Sequence, residues 1–209
     1  MTRINQITIH NIFLFDQNSS TINDVNPLKE FFNFLKYKNK KRTIDFCYSC
    51  EKDSLHQNLS IKENFILDAV PKSLIRDGED NLKQFLKTLK NPHLKTLIAQ
   101  LEDLSSKIDT LNPEQLKLAS VIKSLLSQSE YIFLLNPDQH LSLKNLQLIK
   151  KGIQFEVYHR HRNVVIKAKN RDLWMDISGQ IISKCHSSFQ FSCKENPLLA
   201  NQEKNEKIV

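Results

Sequence analysis

Apolar and polar positions alternate with two different periods along this chain, and the switches between them outline a mixed α/β domain. Gln6 to Phe15 is rich in Ile and Phe and predicts a first strand, followed by a polar loop from Asp16 to Val25. A helix opens at Asn26-Pro27, with asparagine as cap and proline in the first turn. Its apolar residues Leu28, Phe31, Phe32 and Leu35 then recur at helical spacing. Thr43 to Tyr48 predicts a second strand. Between Asp80 and Leu111 two amphipathic helices follow, one showing Leu82, Phe85, Leu86 and Leu89, the other Leu94, Leu97, Ile98, Leu101 and Leu104. Together with the residues just before them, they are expected to form a helical subdomain over about 66–111.

Beyond Leu111, Asn112 is a good N-cap, Pro113 suits the first helical position, and Gln115 can complete a capping box. The helix it opens carries Leu118, Val121, Ile122 and Leu125 on one face, and Tyr131 to Leu135 is a short apolar strand. Ser142 to Lys151 predicts a helix, Ile153 to Tyr158 and Val164 to Ala168 predict strands, and Leu173 to Ile182 a hairpin turning at Ser178-Gly179. From Ser187 the periodicity fades, and the ending ANQEKNEKIV has the composition of a flexible tail. The expected division is one domain over 1–186 and a polar tail over 187–209.

At 209 residues with 40% hydrophobic content, the chain suits one domain with a proper core. No apolar run approaches the roughly 18 to 20 residues of a membrane span, and the start MTRINQITIHN is too polar for a secretory signal. A soluble, cytoplasmic protein is the expectation. Thirty basic against 23 acidic residues give a net charge of +7, concentrated in Leu35 to Arg42 and His159 to Arg162. Charge runs usually face water, so solvated turns are the favoured reading and a contact patch the lesser one. The four cysteines, Cys47, Cys50, Cys185 and Cys193, lack the repeated two-residue spacing of a zinc ribbon, and reduced thiols are expected rather than a metal site. Only three glycines occur, Gly78, Gly152 and Gly179. A loop that wraps phosphate needs glycines so that successive N–H groups can converge, and no such motif can be written in this chain.

Leu111 to Ser142, LNPEQLKLASVIKSLLSQSEYIFLLNPDQHLS, resembles the most recognisable stretch of ATP-binding cassette (ABC) ATPases. That family reads LSGGQ, a helix, an apolar strand ending in Asp-Glu-Pro, then a turn of the type Ser-Ala-Leu-Asp. Leu59 to Asn64, LSIKEN, resembles the family's LTVREN, and MDISGQI resembles its VLDDGRI, so the likeness spans about Gln6 to Lys184. The resemblance implies a P-loop NTPase-like cassette sheet flanked by helices, with a helical subdomain.

Position by position it also implies lost chemistry. Leu135 stands where the family has its magnesium-binding aspartate, and an aliphatic chain cannot hold a hard cation. Asn136 stands for the glutamate that polarises water, Lys169 for the switch histidine, and Glu51 for the glutamine of the glutamine loop. Asn112, Pro113, Glu114 and Gln115 replace the signature, whose serine and glycines aim a helix N-terminus at phosphate. Glu114 would set a second anion beside that phosphate, a repulsion on the order of a few kcal/mol. The expectation is a pseudo-ATPase with no catalytic residues, cofactor or metal. It would pair with an active cassette subunit or dock on a membrane permease, associating peripherally with the inner face of the membrane through that partner. Lys38, Lys40, Lys41 and Arg42 are candidate contacts. The alternative is a non-catalytic nucleic-acid-binding module built on those residues with Lys36, Arg160 and Arg162, and nucleic acid is the less favoured partner. A residual enzyme finds no support in any recognisable nucleophile, base and acid set.

Overall fold

The computed structural model describes residues 12–16, 26–38, 40, 43–49, 54–77, 80–185 and 188–193. Its centre is a six-stranded sheet of β1 (Ile12–Phe15), β2 (Phe46–Ser49), β3 (Tyr131–Leu135), β4 (Asn163–Lys167), β5 (Gln180–Cys185) and β6 (Ser188–Cys193). The spatial order is β2-β3-β4-β1-β5-β6. All neighbours are parallel except β5 and β6, which form an antiparallel pair. A parallel sheet must be covered on both faces, which is why IFLF and YIFLL read as unbroken apolar runs.

Alternation along those runs feeds two different cores. Phe13 and Phe15 of β1 and Phe133 of β3 point to the face covered by α1 (Asn26–Lys38), where Phe31 and Phe32 meet them. The rings pack edge-on or tilted, with Phe31 5.1 Å from Phe189 and Phe32 4.4 Å from Phe133 between centroids. Ile12, Leu14, Ile132, Leu134, Val164 and Ile166 point to the opposite, aliphatic face.

That second face is covered by α5 (Pro113–Leu126) and α6 (Leu143–Arg160). Outside them lie α2 (Ile61–Ala69), α3 (Asn81–Thr88) and α4 (Pro92–Ala99), with α2 and α4 packed on α5 and α4 also on α6. Each helix start has a local cause. Ser60 and Glu63 form a capping box for α2, Asp80 caps α3, and Asn91 caps α4 just before Pro92. The two amphipathic helices expected between Asp80 and Leu111 are α3 and α4, followed by a 3₁₀ turn at Ile108–Thr110.

Three expectations need correction. Ile153 to Tyr158 is not a strand, because α6 continues through it to Arg160. Its β-branched residues favour a strand locally, yet Leu146, Ile149, Ile153 and Val157 recur at helical spacing and bury one continuous stripe. Gly152 does not interrupt the helix. A Cβ there would make ordinary contact with Leu94 at 3.6 Å, which marks where α4 packs on α6. The helix ends instead at His161, in the left-handed conformation with φ 55°.

The hairpin is displaced as well. Arg171–Trp174 is a 3₁₀ turn whose fully buried Trp174 anchors the crossover, and Gln180 begins a strand parallel to β1. The antiparallel turn comes later, between β5 and β6. The sheet therefore runs past the expected boundary at residue 186, because Phe189 and Phe191 alternate onto the aromatic face. Residues 6–11 of the expected first strand, the loop 17–25 and the tail from 194 lie outside the described residues.

Candidate functional site

In an open parallel sheet, ligands gather outside the carboxyl ends of the strands, where the chain reverses its direction of travel across the sheet. Here that end is built by the exits of β1, β3 and β4. Asp16, just past β1, donates its N–H to the Ile182 carbonyl at 2.8 Å, and its carboxylate faces Ser183 Oγ at 3.3 Å and Arg171 at 3.4 Å. The connection that follows falls outside the described residues.

At the exit of β3, Leu135 pairs in register with Lys167. The next residue, Asn136, turns the chain with φ 46°, a conformation asparagine tolerates better than most residues. Its N–H donates to the Lys167 carbonyl at 2.6 Å, and its own carbonyl accepts from Gln139 at 3.1 Å. Asp138 then takes the N–H groups of Lys169 and Asn170 at 3.0 and 2.8 Å, fastening this loop to the one after β4. Lys169 is thus held by its backbone while its side chain faces solvent. Asp138 carries no signal in the sequence, since a lone aspartate after Asn-Pro reads as an ordinary turn residue.

The N-terminus of α5 is closed by its own side chains. Asn112 Oδ1 accepts the Gln115 N–H at 2.9 Å and Gln115 Oε1 accepts the Asn112 N–H at 3.2 Å, with Pro113 at the first helical position. Glu114 reaches across to the start of α6, where Oε1 accepts from the Ser142 N–H and from the Asn145 side-chain amide, each at 2.9 Å. The Ser142 N–H, with further hydrogen bonds from the Ser142 and Asn145 side chains, holds the Glu114 carboxyl below the usual carboxylate range. The charge expected to repel phosphate at this helix end is therefore engaged in joining two helix starts.

Glu51, Cys50, Lys41 and Arg42 lie outside the described residues. The chain on either side of Glu51 is pinned to α5. Ser120 Oγ lies 2.7 Å from Ser49 Oγ and 2.6 Å from Ser54 Oγ, and Lys123 donates to the Ser54 carbonyl at 2.7 Å. Cys47 donates to the Ser124 carbonyl at 3.3 Å and accepts from Ser127 Oγ at 3.1 Å, and burial pushes its thiol up. A protonated thiol so placed is a poor metal ligand. Among the described residues no group of three His, Cys, Asp or Glu side chains is arranged to hold a metal ion. Lys38 and Lys40 are exposed, and the Lys38 ammonium sits 5.6 Å from the Phe34 ring centroid.

Arg160 and Arg162 depart from the expectation of a solvated basic turn. Arg162 is 3% exposed and spans the amino end of the sheet, donating to the Ser129 and Leu125 carbonyls at 2.8 and 2.9 Å and to Ser127 Oγ at 2.9 Å. It also meets Glu156, which is fully buried, at 3.0 Å, and Arg160 meets the same oxygen at 2.9 Å. Asn91, the cap of α4, completes the set by donating to Glu156 Oε1 at 3.0 Å and to the Gly152 carbonyl at 3.0 Å. Burial pulls Arg162 below its ordinary value and Glu156 opposes that shift, but a guanidinium stays charged throughout. Arg162 locks the fold and is not free to grip nucleic acid, while Arg160 braces the same carboxylate and keeps part of its side chain exposed. The sequence held one clue in Glu156, a carboxylate set beside Val157 in the buried stripe of a helix, where a charge requires a partner.

With helices on both faces of its sheet, the molecule has a mixed α/β fold similar to the P-loop NTPase fold of ATP-binding cassettes. A dimeric ATP-binding cassette in a post-hydrolysis state with ADP and phosphate superposes with a TM-score of 0.62 at 13% identity, covering 88% of this chain and 85% of that one. A dimeric bacterial ABC transporter cassette gives 0.59 at 14% identity over 84% and 81% of the two chains. An inward-facing ABC transporter assigned to the metal-chelate type gives 0.59 at 12% identity over 91% of this chain and 74% of that one. Identities this low establish the fold alone. No family model and no curated protein sequence matches the chain. Among the described residues no helix is long and apolar enough to cross a membrane.

Proposed function

We propose that this chain is a cassette-type subunit that does not hydrolyse ATP and acts through a protein partner, as scaffold or regulator of a transporter or another membrane-associated complex. The observation that carries the reading is the exit of β3. On the resemblance drawn from the sequence, Leu135 and Asn136 stand where the family holds magnesium and polarises water, and neither side chain is suited to that work. The crevice around them is fastened by Asp138 and Glu114 through hydrogen bonds within the chain. The solved cassettes it resembles are dimeric, which supports a protein partner for this chain, either an active cassette or a permease. Location at the cytoplasmic face of a membrane follows from such a partner. The nucleic-acid reading is weakened by the burial of Arg162.

The test is titration of the purified chain with a fluorescent ATP analogue and magnesium, alongside release of inorganic phosphate. Neither micromolar binding nor turnover is expected, and the two together would overturn the proposal.

A further inference from the structure

At the end of the molecule away from the β3 exit, three elements meet without filling the space between them. A groove of about 560 Å³ lies between the turn containing Pro71 and Leu74, the α3 residues Phe85 and Leu89, and Phe155 near the end of α6. That volume falls within the range of sites that take a specific ligand. Its floor is apolar, and Leu74 and the neighbouring Ile75 remain 43% and 45% exposed at its mouth. Large apolar side chains left open beside a concave surface mark a contact face rather than a solvated one.

The rim is basic. Lys90, His159 and Arg160 border the groove, and Glu156 is the only carboxylate among the residues that line it. Glu156 is fully buried and shares one oxygen between Arg160 and Arg162, at 2.9 and 3.0 Å. Arg160 lines the groove and Arg162 lies buried behind it, so one negative charge against two guanidinium groups leaves an excess positive charge on this side, to which Lys90 at the rim adds its own. The groove is also held rigid. Gln128 takes Arg160 on one side at 2.8 Å and reaches the Ala69 carbonyl on the other at 3.4 Å, bridging α6 to the end of α2.

We infer that this groove between α3, the 70–75 turn and the end of α6 docks an acidic, apolar-anchored segment of a partner protein. Such a segment would present one or two Leu, Phe or Trp residues to the floor, flanked by Asp or Glu facing Lys90 and Arg160, in the manner of a helix laid in a groove. A lipid surface suits this site less well, because Phe85, Leu89 and Phe155 line a cleft instead of projecting from it. The inference rests on the groove and its charge, not on nucleotide chemistry, so its failure would leave the proposed loss of ATPase activity untouched.

The experiment pans a random dodecapeptide library against the full-length chain and measures the enriched peptides by fluorescence anisotropy. Enrichment of apolar residues flanked by Asp or Glu is expected, with affinity falling as salt rises. Lys90→Glu should weaken those peptides about tenfold or more, and Leu74→Asp should abolish binding. Both positions are exposed, so circular dichroism of the variants should match the parent. Basic or charge-neutral peptides, no enrichment, or affinities indifferent to both substitutions would overturn the inference. So would binding to phosphatidylglycerol vesicles in the absence of any peptide binding.

Discussion

The two ends of the parallel sheet treat charge in opposite ways. At the carboxyl end, Leu135 and Asn136 leave the β3 exit without an acidic group, and the nearby carboxylates of Asp138 and Glu114 accept backbone N–H groups at the surface. At the amino end, Glu156 and Arg162 are buried outright and tied to α4, α5 and β3 through a closed set of hydrogen bonds. This buried set sits where the helical layer joins the sheet, and the hydrogen bonds it makes to both make it an architectural device.

The largest effect should come from breaking that device. Arg162→Met would leave the fully buried Glu156 with Arg160 as its remaining cationic partner and take the donor from the Ser129 and Leu125 carbonyls, at a cost of about 3 to 5 kcal/mol of stability, read as a fall in the urea midpoint. The sharper form of the comparison is Arg162→Met with Glu156→Leu, which should recover part of the loss because the buried carboxylate goes with its buried partner and only the partly exposed Arg160 is left without it. If the double variant is as unstable as the sum of the single ones, the pair is not coupled as described.

Next in size is Asn91→Ala, which removes both the cap of α4 and a donor to Glu156. A loss of about 1 to 3 kcal/mol is expected, with hydrogen exchange accelerated in α4 before the sheet. Exchange that rises uniformly across the molecule would show that Asn91 does not join the helical layer to the core.

At the carboxyl end the expected effects are smaller and depend on pH. Glu114 has its folded pKa lowered, so it contributes stability that is present above its unfolded value, near 4.5, and is lost as pH falls through the lower folded value. Glu114→Gln should therefore destabilise by about 1 kcal/mol at neutral pH and by progressively less in acid. A difference from the parent that persists unchanged down to pH 2 would contradict the Glu114–Ser142 contact.

The smallest effect is expected at the crevice itself. Asn136→Glu should destabilise by about 0.5 to 1 kcal/mol, since glutamate tolerates the left-handed conformation at φ 46° less well than asparagine does. It should not start phosphate release, because Leu135 still cannot hold magnesium. Turnover in that single variant would mean that the rest of the catalytic apparatus is intact.

Much of the architecture is legible from the chain alone, and the reasons are local. The capping box of Asn112 and Gln115, the amphipathic faces of α3 and α4, and the apolar run of β3 all write their structure into neighbouring residues. What is not legible depends on residues far apart. Ile153 to Tyr158 reads as a strand until α4 is known to lie against Gly152. His159 to Arg162 reads as a solvated turn until Glu156 and Asn91 converge on it from two other helix turns. Leu173 to Ile182 reads as a hairpin because Ser178-Gly179 is a turn signal, whereas Trp174 plugs the core from a 3₁₀ turn. At the crevice, the residues at 112–115, 135, 136 and 169 stand out in the sequence only through the resemblance to cassettes. The engagement of Glu114 with Ser142 needs the two helix starts side by side, and they are 28 positions apart.

Hydrogen exchange measured with and without millimolar magnesium-ATP tests the central claim most directly. The amides at the start of α5, at the exit of β3 and in the loop after β4 should exchange at the same rate in both conditions. Protection confined to those three segments would show that the crevice still grips nucleotide, and the account of a cassette frame without its chemistry would fall.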